Sequence, residues 1–84
     1  MSILSDILDY YSDEEFLTAD GFDDCVVGVD CRSMRLIYSE TLILESLVLQ
    51  GMSVEEAIEH YEYNIQGAYM GEKTPIYLTS FTTY

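Results

Sequence analysis

One histidine, two cysteines and sixteen carboxylates carry whatever chemistry this 84-residue chain can do. His60 sits between Glu59 and Tyr61. General acid–base catalysis would require a nucleophile or a substrate pocket beside it, and no motif supplies either. It reads as a surface or boundary histidine flanked by glutamates. Cys25 and Cys31 lack the C-x-x-C spacing and a usable histidine partner. On a strand they would share a face and sit far apart, so two reduced thiols are expected. Asp20, Asp23, Asp24 and Asp30 gather loosely around Gly21-Phe22. Carboxylates of this kind hold hard cations, but the alternation and the terminal bidentate glutamate of an EF-hand are missing. Turn formation or strand entry suits these aspartates better.

Gly67 to Thr74 ends in a Lys-Thr pair, as phosphate loops do. Here Glu72 stands where glycine precedes the lysine, no strand leads into the loop, and the negative field would repel a nucleotide. The sequence therefore predicts no catalytic residue, no metal and no cofactor.

The charge is the dominant feature. Arg32, Arg35 and Lys73 face sixteen acidic residues, for a formal net charge of −13. Such a chain avoids nucleic acid and anionic membranes, and attracts a basic surface on another macromolecule. Hydrophobic residues make up 49% of it and aromatics 13%. Disordered acidic chains lack that apolar content, so this one folds with its charge outside. The length fits one domain, residues 1–84, with a modest core. No basic leader precedes the body, and no apolar run approaches the ~20 residues of a membrane span. The expectation is a soluble, cytoplasmic protein.

The acids are not spread evenly. Asp6, Asp9, Asp13, Glu14, Glu15, Asp20, Asp23 and Asp24 precede Cys25 with no base among them. Glu55, Glu56, Glu59 and Glu62 form a second group. On a regular helix Glu55, Glu59 and Glu62 would lie about 6 and 4.5 Å apart along one face. Duplex DNA carries one charge per ~1.7 Å of axis over both strands. Two such segments could offer a basic groove something like a nucleic-acid charge track. Solvated faces, with glutamates favouring a helix N-terminus, are the simpler account of either run alone. Eight tyrosines exceed what a small core needs. Tyr10, Tyr11, Tyr63, Tyr69 and Tyr84 are candidates for partial exposure, and Tyr63, near Glu59 and Glu62, is the best interface anchor. A homo-oligomer would explain the same excess. The candidate partner-binding set is Asp13, Glu14, Glu15, Asp20, Asp23, Asp24, Glu55, Glu59, Glu62 and Tyr63.

The elements that must position these residues are readable. Ile3, Leu4, Ile7, Leu8 and Tyr11 follow the period of an amphipathic helix. Ser12-Asp13-Glu14-Glu15 has capping-box spacing and predicts a short helical turn carrying Phe16 and Leu17, ended by Ala19-Asp20-Gly21. Cys25–Asp30 and Met34–Ser39 read as a hairpin joined by Cys31-Arg32-Ser33, with Gly28 marking a bulge or a close approach. Residues 40–50 are apolar nearly all round, which predicts a central helix buried on most sides and stopped by Gly51. Ser53-Val54-Glu55-Glu56 is a second capping box. It opens a helix with Val54, Ala57, Ile58, Tyr61, Ile65 and Ala68 on one face, ended by Gly67 or Gly71. After Pro75, residues 76–81 have strand composition. The fold class is α+β: an N-terminal helix, a hairpin, two helices and a C-terminal strand completing a small antiparallel sheet. Residues 82–84 are expected to fray.

Three stretches together carry a resemblance. They are Ala19-Asp20-Gly21-Phe22-Asp23-Asp24, then Val26-Val27-Gly28-Val29, then the run from Met52 through Glu55-Glu56-Ala57 and Tyr61-Glu62-Tyr63-Asn64 to Gly67-Ala68-Tyr69-Met70-Gly71-Glu72-Lys73-Thr74-Pro75-Ile76. In this order the chain resembles a family of small acidic proteins encoded by tailed bacteriophages, over roughly residues 14–78. The resemblance carries over no activity and no catalytic residues. It implies a location in the cytoplasm of an infected bacterium. It also implies a protein directed at the host or its defences, since many small acidic phage proteins block host enzymes that handle nucleic acid. Expected targets are restriction, CRISPR or repair components. The competing expectation is a self-assembling structural or accessory phage protein without enzymatic activity.

Overall fold

The computed structural model describes residues 2–81. Helix α1 spans Ile3–Tyr10, and the Ser2 hydroxyl accepts from the Ser5 amide at its start. A 3₁₀ turn, Asp23–Cys25, leads into strand β1, Val26–Asp30. Strand β2, Arg35–Ser39, runs straight into helix α2, Glu40–Leu49, whose first turn is capped by the Ser39 hydroxyl. Helix α3, Val54–His60, continues as a π-helical segment over Tyr61–Gln66. Strand β3, Ile76–Leu78, closes the fold. The class is α+β, as the sequence predicts. No helix is long and apolar enough to cross a membrane among the described residues.

The sheet order is β1-β2-β3, and β1 pairs antiparallel with β2. The register shifts between Val26 and Gly28. A Cβ on Gly28 would meet nothing within 4 Å, so this glycine marks a bulge and not a close approach. The hairpin turn takes one residue more than expected. Met34 belongs to it, with φ at 55°, and its amide donates to the Asp30 carbonyl at 2.7 Å.

The third strand corrects the expected antiparallel sheet. β3 runs parallel to β2, with Ile37 opposite Ile76 and Ser39 opposite Leu78. The cause is the path of residues 67–75. The Lys73 ammonium donates to the Met34 carbonyl at 3.2 Å, at the start of β2. The chain is thus carried back to the end where β2 begins before β3 starts, and the sheet is mixed.

Two further expectations change. The Ser12–Glu15 box opens no helix, and residues 14–19 have no regular structure. Too few apolar residues follow at helical spacing. Phe16 and Ala19 instead reach the core margin, and the Ala19 amide donates to the Tyr38 hydroxyl at 2.8 Å. Nor is α2 buried on most sides. Ile43 and Leu47 are buried, whereas Val48 and Leu49 are exposed. An 84-residue chain has only enough partners to cover one side of such a helix.

The helix ends follow local rules. Gly51, at φ 109°, and Met52 donate to the Val48 and Leu47 carbonyls, the paired bonds of a Schellman stop. Gly67 closes the π segment by donating to Glu62, where a Cβ would lie 2.9 Å from that carbonyl oxygen. Along α3 and its continuation Ala57, Tyr61 and Ile65 are buried, four residues apart, while Val54, Ile58 and Ala68 from the expected face stay exposed. The core joins Leu4 and Ile7 of α1, Leu36 and Tyr38 of β2 and Ile43 and Leu47 of α2 to these residues. Tyr77 of β3 touches both Tyr38 and Tyr61, with ring centroids at 5.8 and 5.9 Å. β3 is shorter than expected, and Tyr84 and the fraying expected of residues 82–84 lie outside the described residues.

Candidate functional site

Every carboxylate side chain of the candidate set is exposed, as is Tyr63 at 82%. Of all sixteen acids, only Asp30 and Glu40 are half-buried. Among the described residues there is one ion pair, Lys73 to Glu14 at 3.4 Å, with both side chains partly solvated. Glu14 is therefore the one candidate carboxylate already facing a cation. Glu15 lies nearby, in a hollow shared with Phe16, Glu72 and Lys73.

The first acidic segment is shaped by three ties. Glu14 meets Lys73, the Ala19 amide meets Tyr38, and the 3₁₀ turn is closed by the Cys25 amide donating to Phe22 at 2.9 Å. Asp20, Asp23 and Asp24 project from this anchored loop. Cys25 is not on the strand, as expected from sequence, but buried in the turn before it. Cys31 is exposed in the turn after β1, and both thiols are free. Burial, with Asp24 and Glu45 nearby, pushes the Cys25 thiol up.

The second segment is built on the Ser53 box. The Ser53 amide donates to Glu56 Oε1 at 2.9 Å, and the Glu56 amide donates to the Ser53 hydroxyl at 3.1 Å. Donation from the Ser53 amide, with the Ser53 hydroxyl beside it, holds the Glu56 carboxyl below its ordinary value. Glu55 and Glu59 stand one turn apart on α3. Glu62 follows in the π segment, which has more residues per turn than an α-helix. Glu59 and Tyr63 share a shallow hollow with Glu56, His60 and Asn64. Asn64 Nδ2 lies 3.3 Å from His60 Nδ1.

Helix α2 links the two segments, since it packs against both the Asp23–Cys25 turn and α3. It also carries what the sequence reading missed. Glu45 and Leu49 line two adjoining hollows. One includes Asp24 and Phe22, and the other includes Leu44, Val48 and Val54. The available signal was residues 40–50 themselves, too apolar for a small core to cover.

The remaining motifs are occupied structurally. Thr74 Oγ1 donates to the Gly71 carbonyl at 2.6 Å and accepts from the Met70 amide at 2.8 Å. With Lys73 turned to Glu14 and the Ser33 and Met34 carbonyls, the 67–74 loop has no phosphate-binding arrangement. Asp30 Oδ1 accepts from the Arg32 amide and Oδ2 from the Ser33 hydroxyl, which hold the Asp30 carboxyl low and make it a turn former. No three His, Cys, Asp or Glu side chains converge to hold a metal ion among the described residues. Comparisons with protein-family models, with curated proteins and with solved structures find no match to this chain.

Proposed function

We propose that this chain is a small acidic bacteriophage protein that binds and inhibits a basic host protein. The target handles nucleic acid, as restriction, CRISPR or repair components do. The carboxylates of residues 13–24 and 55–62 occupy its nucleic-acid groove, and the protein works in the cytoplasm of the infected bacterium without catalysing a reaction. The observation that carries this reading is the unneutralised surface. Sixteen acids meet three bases, and the described residues hold one partly solvated ion pair. Solubility alone does not require such one-sidedness.

Mimicry makes the interaction electrostatic and competitive with nucleic acid. The test is displacement. A host protein retained on the immobilised chain at low salt should be released by added duplex DNA. Retention that excess DNA leaves unchanged would rule out occupation of the groove.

A second reading has its own observation. Tyr10, Tyr63 and Tyr69 are all exposed, as an accessory phage protein that self-assembles through tyrosines would need. Light scattering separates the two readings. A mass that grows with concentration favours assembly, and a monomer at high concentration favours the inhibitor.

A further inference from the structure

The least expected surface on this molecule is apolar. Leu49 is 88% exposed at the end of α2, with Val48 and Val54 also exposed beside it. Together with Leu44 and Glu45 they line an open groove of about 490 Å³ between α2 and the start of α3. Leu49 also borders the neighbouring hollow, which holds Phe22 and Asp24. No lysine or arginine lines either one.

We propose that this groove anchors a large apolar side chain carried on a cationic segment of the partner protein. The inference rests on the reading of the chain as a binder of a basic protein, and it adds where and how that partner is gripped. Charge decides the occupant. A second copy of this chain would bring another −13 and set Glu45 and Asp24 against their own kind. A segment with lysine or arginine flanking an apolar residue fills the apolar floor and meets the acidic rim. Contacts of this kind concentrate binding energy in one desolvated anchor, while the surrounding charges set encounter rate and salt dependence.

Two fluorescent peptides of equal length and equal positive charge provide the test, one of lysine and leucine and one of lysine and serine. Both should bind the wild-type chain at low salt, the leucine peptide at least about tenfold more tightly. Leu49→Ser and Val54→Ser should each remove about tenfold of the leucine peptide's affinity and leave the serine peptide unchanged. Both positions are exposed, so the variants should melt as the wild type does. A leucine-peptide affinity that ignores Leu49→Ser would overturn the anchor, while salt-sensitive binding of both peptides would leave the basic-partner reading standing. Failure of both peptides to bind at low salt would sink both the anchor and the basic-partner reading. Equal binding of a glutamate–leucine peptide would overturn the charge argument. A wild-type dimer abolished by Leu49→Ser would make the occupant a second copy.

Discussion

The Lys73 ammonium lies 3.2 Å from the Met34 carbonyl oxygen, and this contact marks where the chain turns back before its last strand. The same ammonium reaches Ser33 and Glu14, so one lysine ties the hairpin turn, the N-terminal segment and the 67–75 loop. Replacement by methionine keeps the stem and removes all three ties. Lys73→Met should cost about 1 kcal/mol, because the ion pair is partly solvated and the carbonyl bonds are modest. Urea unfolding measures it. No loss would mean that the loop is held by packing alone.

Salt should act on stability in the opposite sense to its action on that one pair. Screening weakens Lys73–Glu14 but also weakens repulsion among many more acids, and the repulsion dominates at −13. The melting temperature should therefore rise between about 0.01 and 0.15 M NaCl, as the Debye length falls from ~30 to ~8 Å. A fall would mean that attractive pairs outweigh the net charge.

Two buried tyrosines should respond differently to loss of their hydroxyls. Tyr38 accepts the Ala19 amide, so Tyr38→Phe strands a half-buried donor and should cost about 1–3 kcal/mol. The Tyr61 hydroxyl is buried beside Glu40 without a well-aligned hydrogen bond, and burial with Glu40 nearby pushes its ionisation upward. Tyr61→Phe should cost less than Tyr38→Phe. Equal costs for the two changes would contradict these environments.

How much of this was legible in the sequence is seen by comparing the two Ser-x-x-Glu segments. At Ser53 the spacing encodes two reciprocal hydrogen bonds, and residues 57, 61 and 65 continue with buried side chains, so local and global demands agree. At Ser12 the spacing is the same, but Phe16 and Ala19 are drawn to the core margin and Glu14 to Lys73, and the helix never forms. The direction of β3 was not legible, because it depends on the path of residues 67–75, which brings Lys73 back beside Met34, nearly 40 residues earlier in the chain. Every candidate carboxylate was correctly placed outside, since exposure of charge follows from desolvation cost alone. The apolar ridge at Val48 and Leu49 was missed because residue types on α2 do not say which side its neighbours cover.

Acid should expose two carboxyls whose titration is lowered by local hydrogen bonds. Asp30 and Glu56 both titrate lower in the folded chain than unfolded, so their stabilisation is complete above the ordinary range near about 4 and is lost as pH falls through the depressed values. The stability difference between wild type and Asp30→Asn, or Glu56→Gln, should shrink as pH drops below about 4. Denaturant midpoints measured across that range decide it, and a difference that widens in acid would reverse the assignment.

The most direct test of the central claim is retention of host proteins from a nuclease-treated bacterial lysate by two immobilised forms of the chain. One is wild type, and the other carries Asp20→Asn, Asp23→Asn, Asp24→Asn, Glu55→Gln, Glu59→Gln and Glu62→Gln. The account predicts a basic, nucleic-acid-handling protein held by the wild type at about 50 mM salt, released by about 200 mM, and not held by the neutralised form. Retention that is equal for both forms, or unchanged by salt, would contradict it.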